Sequence, residues 1–166
     1  DVEKVAETIS PSMDIQLASN FERLIYDLND HNDKKTIEAM RDIKENGKYL
    51  ISKENLKKIN AHFLSSSMNE DEILNIVKNV YTKFNIILDP HTAIGYGAFD
   101  KISLDGNNIV LATAHPCKFP EAIKKAIDIK ADLPKELMFV MDEKENYDII
   151  DNDVEKIKQH IKERIK

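Results

Sequence analysis

The run Ile109-Val110-Leu111-Ala112 follows the turn residues Asp105-Gly106-Asn107 and leads into Thr113-Ala114-His115-Pro116. Four continuous apolar residues between turn signals form the pattern of a strand buried on both faces. A second, weaker strand pattern lies near Val5 to Ile9. One or two strands cannot satisfy their own backbone groups, and an unpaired edge is a liability. The reading is therefore an α/β protein whose sheet is completed from outside these residues. On that reading the chain is a fragment, or one half, of something larger. A start at Asp1 without an initiator Met fits truncation.

The rest of the chain reads as mostly helical. Ser19-Asn20 has the composition of a helix N-cap ahead of Phe21, Leu24, Ile25 and Leu28 at helical spacing. Asp33 is placed to cap a helix carrying Ile37, Met40 and Ile43 and stopped by Asn46-Gly47. Ser52 opens a helix with Leu56, Ile59 and Phe63. Asn69 with Glu72 forms a capping box ahead of Ile73, Ile76, Val77 and Val80. Asp89-Pro90 breaks the chain. The Ala and Gly content from His91 to Ile102 (Ala93, Gly95, Gly97, Ala98) predicts a helix packed closely on a neighbour. Short and terminal helices are read at Glu121 to Ile127 and Val154 to Ile165.

Composition excludes several classes. The 166 residues suffice for one domain with a real core, and 42% hydrophobic with 33% charged residues is ordinary for a globular protein. A net charge of -6 argues against a nucleic-acid surface, which needs a clustered basic face. Lys156, Lys158, Lys162, Arg164 and Lys166 are interleaved with Glu155 and Glu163 and read as a solvated helix face. Cys117 is the single cysteine, which rules out an intramolecular disulfide and suits a reducing cytoplasm. No apolar run approaches a membrane span, and no signal peptide is present, so no membrane partner is expected.

Four groups of residues are candidates for chemistry. Ser19 and Asn20 at a helix start, with Arg23 one turn in, make a plausible anion site, because helix N-termini offer free N–H groups. The bland reading pairs Arg23 with Glu22 or Asp27 and leaves Asp14 to cap or to hold the loop. Thr113 stands where the apolar run ends, the place where ligands collect in α/β sheets, although a threonine there also simply bonds a nearby carbonyl. His115 and Cys117 resemble a nucleophile pair, but two residues apart on a loop is no hydrogen bond, and the thiol reading is rejected. Asp89, His91 and His115 can be drawn as metal ligands, yet their spacing matches no zinc pattern, and no metal is expected.

Three motifs then carry a resemblance. Ser10-Pro11-Ser12-Met13-Asp14-Ile15-Gln16-Leu17-Ala18-Ser19-Asn20-Phe21-Glu22-Arg23, Asp89-Pro90-His91-Thr92-Ala93-Ile94-Gly95, and Thr113-Ala114-His115-Pro116-Cys117-Lys118-Phe119-Pro120 stand in the order and spacing of the C-terminal part of the threonine synthase family. The similarity runs from about Val5 to the chain end. It implies a C-terminal portion, residues 1–166, of a tryptophan-synthase-like fold that uses pyridoxal 5'-phosphate, with the cofactor lysine in the part that precedes this one. It implies conversion of O-phospho-L-homoserine and water to L-threonine and phosphate, a carbon–oxygen lyase reaction, with the chain inactive alone. Thr113 would meet the cofactor's pyridine nitrogen, and a neutral hydroxyl there would leave that nitrogen largely unprotonated. Ser19, Asn20, Arg23, His91 and His115 would line the site or touch substrate. The partners implied are that substrate and the preceding part of the same protein, in the cytoplasm. Two other readings are a threonine-synthase-like phospho-lyase that ends at a keto acid, and a non-enzymatic helical interaction module. The second leaves Ile109 to Ala112 unexplained.

Overall fold

The structure is a computed structural model that describes residues 5–102 and 105–165. Its described residues form helices and three short 3-10 segments, without a strand. The helices are α1 (Phe21–Leu28), α2 (Asp33–Asn46), α3 (Lys53–Asn60), α4 (Glu70–Phe84), α5 (Pro90–Lys101), α6 (Pro120–Ile127) and α7 (Val154–Arg164). The 3-10 segments span Pro11–Met13, Pro116–Lys118 and Lys135–Met141. The chain divides into two compact units, Asp1–Asp132 and Leu133–Lys166.

The first unit is built on α4 and α5. Asn69 accepts a hydrogen bond from the Glu72 N–H while the Glu72 carboxylate accepts one from the Asn69 N–H, so the expected capping box is present. Ile73 and Val77, one helical turn apart, put an apolar stripe against Ala93 of α5 and Ile123 of α6. Lys101 at the end of α5 reaches Glu72 at the start of α4 at 2.7 Å, as an antiparallel pair requires. That ammonium, together with the Asn69 amide, holds the Glu72 carboxyl below its ordinary value. Close approach is possible because residue 97 has no side chain: a Cβ there would lie 2.2 Å from Ile76 Cδ1. The sequence expectation of a tightly packed glycine-containing helix therefore holds.

A smaller core joins α1 to α2 through Ile25, Ala39 and Ile43. Three expectations are corrected there. Asn32, not Asp33, caps α2, its side chain accepting from the Lys35 N–H at 3.1 Å. Ile37 is 54% exposed, because the buried stripe runs through Thr36, Ala39 and Ile43 instead. Ser19-Asn20 does not cap α1: Asn20 already has helical dihedrals, and its side chain accepts no bond from a backbone N–H of the first turn. Ser52 does cap α3, but that helix ends at Asn60 and Phe63 lies beyond it, exposed. Gly47 ends α2 at φ +68°, a left-handed residue that glycine adopts without strain.

The strands are the main difference from the sequence reading. Residues 109–112 and 5–9 carry no ladder. Ile109 is 88% exposed and Leu111 77%, while Val110 leans back over Gly95 of α5. A strand exists only through hydrogen bonds to a neighbour, and no described segment lies alongside to supply them.

In the second unit Asp153 caps α7 by accepting from the N–H groups of Glu155 and Lys156. Lys156, Lys158, Lys162 and Arg164 are exposed as expected, with Lys156 on Asp151, Lys158 on Glu155 and Arg164 on Asp148. Lys166 lies outside the described residues. The 3-10 segment Lys135–Met141, with Met138 and Phe139 largely exposed, was not foreseen.

Candidate active site

The start of α5 organises the polar interior. Asp89 is its N-cap and Pro90 its first residue, the position where a missing N–H costs nothing. The Asp89 side chain is fully enclosed, and its Oδ1 accepts from the His91 N–H at 3.0 Å and from His91 Nδ1 at 3.0 Å. Its Oδ2 accepts from the Thr92 hydroxyl. Burial alone pushes this carboxyl up. Hydrogen bonds from the Thr92 hydroxyl, the His91 ring and the backbone amides of both residues outweigh it, and the group settles below its ordinary value.

His91 is fixed on both ring nitrogens. Nε2 accepts from the Ser12 N–H at 3.2 Å, so the ring proton sits on Nδ1 and is donated to Asp89. The imidazole also packs against Phe119, with centroids 4.6 Å apart. The first motif reaches the second through this bond. Within the first motif, Asp14 takes the Thr8 N–H at 2.7 Å and the Thr8 hydroxyl at 2.8 Å, which is the loop-holding role expected of it.

Thr113 joins the group from the other side. Its N–H donates to Thr92 Oγ1 at 3.0 Å, and its own Oγ1 lies 3.3 Å from the same atom. All three motifs therefore converge on Asp89, although no sheet holds Thr113 in place. Sequence reasoning missed this convergence. The signal for it was Asp89-Pro90-His91-Thr92, in which a polar residue at the third helical position can reach back to the cap as a capping box does.

His91 and Thr113 both face a cavity of about 660 Å³ that is lined by apolar side chains such as Ile94, Phe99 and Leu111. No Asp, Glu, Lys or Arg is among its described lining residues. An apolar cavity with a few convergent polar atoms is the usual form of a small-molecule site. The other candidates lie apart from it. Ser19, Asn20 and Arg23 are exposed, and Arg23 Nη1 donates to Asn20 Oδ1 at 2.7 Å instead of pairing with Glu22 or Asp27. His115 caps the 3-10 turn after Thr113, its Nδ1 accepting from the Cys117 N–H at 3.3 Å. Cys117 packs against the main core. Both nitrogens of His91 are committed, which leaves no ligand pair with His115, and no group of metal-binding side chains occurs among the described residues.

Known proteins resemble this chain in sequence and in fold. The family described as threonine synthase, C-terminal, matches residues 92–161. The threonine synthase of Pseudomonas aeruginosa is 34% identical over 164 residues, covering 97% of this chain and 35% of that protein. That of Saccharomyces cerevisiae is 33% identical over 189 residues, covering 98% of this chain and 37% of that protein. The chain thus spans about a third of the length of these relatives. The crystal structure of pyridoxal-phosphate-bound threonine synthase from Brucella melitensis superposes with a TM-score of 0.85 at 34% identity, over 98% of this chain and 35% of that one. The yeast enzyme's structure gives a TM-score of 0.78 at 32% identity. The fold is that of part of a pyridoxal-phosphate-bound threonine synthase, and the chain is similar in sequence to threonine synthases over almost its whole length.

Proposed function

We propose that residues 1–166 are the C-terminal portion of a cytoplasmic, pyridoxal-phosphate-dependent threonine synthase that converts O-phospho-L-homoserine and water to L-threonine and phosphate. The observation that carries this is the 34% identity over 97% of the chain to an enzyme of that name, joined to the TM-score of 0.85 with a cofactor-bound relative.

The donor set suits the cofactor's ring. A flat heteroaromatic ring needs an uncharged apolar slot and one polar group for its nitrogen, and the cavity offers apolar walls with the Thr113 hydroxyl exposed at its edge. When bound, the cofactor supplies the electron sink for carbanions next to the substrate amine. This chain's part is narrower. Thr113 binds the ring nitrogen, and Thr92 fixes the Thr113 backbone. His91 seals the cavity floor and ties it to the Ser10–Asp14 loop. Leu111, Phe99 and Ile94 exclude water. Ser19, Asn20, Arg23 and His115 belong to the mouth of the site in the longer protein, where they contact substrate. Ile109 to Ala112 becomes a strand there, paired with residues of the preceding part, which also carries the cofactor lysine.

The test is to supply the full-length gene product with pyridoxal phosphate and O-phospho-L-homoserine and identify the products. Threonine and phosphate in equal amounts support the reading, and no turnover refutes it. Phosphate with a keto acid favours a phospho-lyase. Arg23→Ala with unchanged affinity for the phosphorylated substrate removes Arg23 from the site.

A further inference from the structure

We propose that His91 is a pH-sensitive latch: in its neutral form it holds the tip of the 10–14 loop at the cavity wall, and on taking a second ring proton it lets that tip go. The inference concerns the loop and the imidazole alone, and it stands whether or not the cavity receives the cofactor.

The loop is built to move at its tip. Its base is clasped, because the Asp14 carboxylate accepts the Thr8 N–H at 2.7 Å and the Thr8 hydroxyl at 2.8 Å. The Ser10 N–H adds a bond to Thr8 Oγ1 at 3.1 Å, and Ser10 itself is buried. The tip, the 3-10 turn Pro11–Met13, has no buried residue. It is tied across to α5 by the Ser12 N–H, which donates to His91 Nε2 at 3.2 Å, and Met13 beside it lines the same cavity as His91. A backbone N–H can only donate, so the tie exists only while Nε2 is bare. Asp89 pulls the other way. Its carboxylate faces His91 Nδ1 at 3.0 Å and, held below its ordinary value, is ionised wherever an imidazole titrates, so it favours the doubly protonated ring. A proton on Nε2 would meet the Ser12 N–H donor to donor. The remaining surroundings add no opposing charge. Phe119 gives an uncharged ring, His115 on the same turn gives Nδ1 to the Cys117 N–H, and Lys118 is exposed. On the loop, Asp14 is engaged by Thr8, and the described cavity lining adds His62 but no Asp, Glu, Lys or Arg. Asp89 is fixed by Thr92 and by the start of α5, so the loop tip is the partner that yields. Linkage sets the direction: the tip is held above the His91 titration and released below it, and whatever holds the tip closed resists protonation of the ring.

Two measurements on the full-length protein test the latch between about pH 8 and about pH 5, the range in which imidazoles titrate. The first is NMR with the histidine rings labelled with nitrogen-15, His91 being identified by the signals lost in His91→Gln. Its proton is expected on Nδ1 at the upper end, with a second proton arriving on Nε2 as the pH falls. A ring that carries its proton on Nε2 at the upper end, or that stays neutral throughout, overturns the proposal. The second is hydrogen exchange at the Ser12 amide, corrected for the intrinsic pH dependence of exchange. Protection there should fall about tenfold across the range, the worth of one hydrogen bond, while the Thr8 amide on Asp14 keeps its own. His91→Gln puts an oxygen where Nε2 stands, which accepts from Ser12 and does not titrate, so Ser12 should stay protected throughout. His91→Asn can reach Asp89 as Nδ1 does but offers Ser12 no acceptor, so protection should be low throughout. Both variants keep the other four histidines. Matching circular dichroism shows that they fold, and the wild-type profile decides alone if either does not. Flat protection at Ser12 in wild type overturns the latch. So does a His91→Gln profile that follows wild type, which assigns the pH dependence to another group, and so does joint loss at Ser12 and Thr8, which means that the whole loop melts.

Discussion

Replacing Asp89 by Ala should destabilise the start of α5 by about 3–5 kcal/mol, the lower part of the range of about 3–7 kcal/mol reached by adding about 1 kcal/mol for a lost N-cap to about 1–3 kcal/mol for each of two buried donors left without an acceptor. The two donors are His91 Nδ1–H and the Thr92 hydroxyl, on residues 7% and 5% exposed. Removing the buried charge relieves some desolvation, which keeps the total toward the lower end. Asp89→Asn should cost less, about 1–2 kcal/mol, because Oδ1 survives to serve the His91 amide and ring, and the new amide can donate to Thr92. The assay is native-state hydrogen exchange on the full-length protein, which reads the local opening of α5 apart from global unfolding. An Ala variant within 1 kcal/mol of wild type would refute the reasoning, and so would an Asn variant worse than Ala.

The same group sets a pH dependence. The folded carboxyl lies below its ordinary value, so the folded state binds fewer protons than the unfolded state as pH falls. The stability it supplies is full above the ordinary aspartate value of about 3.9 and is lost as pH drops through the lower folded value. The advantage of wild type over Asp89→Asn in α5 protection should hold at pH 7 and shrink below about pH 4. A gap that stays constant to pH 2.5 would place the carboxylate's contribution elsewhere.

Three further outcomes follow from the packing. Asn69→Ala should weaken the first turn of α4 by about 1 kcal/mol, whereas Asn20→Ala should leave α1 within a few tenths, because only Asn69 makes a cap bond; exchange at both helix starts compares them. Ile73→Ala, at a fully buried position, should cost about 2–5 kcal/mol in urea unfolding, and Ile37→Ala less than about 0.5. Gly97→Ala gains about 1 kcal/mol of helix propensity but drives its Cβ to 2.2 Å from Ile76 Cδ1 and 2.5 Å from Met68 Cε, an overpacking cost of about 1–3 kcal/mol. Net destabilisation is expected, and Met68→Ala in the same chain should recover part of it, seen as a non-additive double-mutant cycle.

Two helix starts were legible from their cap residues. Asn69 with Glu72, and Ser52 without a reciprocal partner, both accept the cap bond that the sequence suggests, and Gly47 stops α2 where a left-handed residue is needed. Capping composition alone misled elsewhere: Ser19-Asn20 has the right residues, but Asn20 spends its side chain on Arg23. The register of α2 was off by one position because Ile37 looks apolar in sequence, while the face that meets α1 is chosen by Ala39 and Ile43 with Thr36. Single residues of the site were visible as motif members. Their connections were not, since the bond from Ser12 to His91 spans 79 positions and that from Thr113 to Thr92 spans 21.

The apolar run at Ile109 carries the last lesson. Its composition reads as a buried strand, yet Ile109 and Leu111 stand in the open, and no ladder holds them. Thr113, immediately after it, is nonetheless placed to within hydrogen-bond reach of Thr92 on both its backbone and its hydroxyl. Side-chain chemistry at the start of α5 therefore orders the end of the run independently of sheet pairing. If strand pairing fixes the run in a longer protein, it joins a segment whose Thr113 end is already anchored. This gives a separable expectation. Thr92→Val should raise amide exchange at Thr113 while leaving exchange at Ile109 and Val110 unchanged. Equal loosening of all three would mean that the run is held as one unit by packing, and that the Thr92 hydroxyl merely accompanies it.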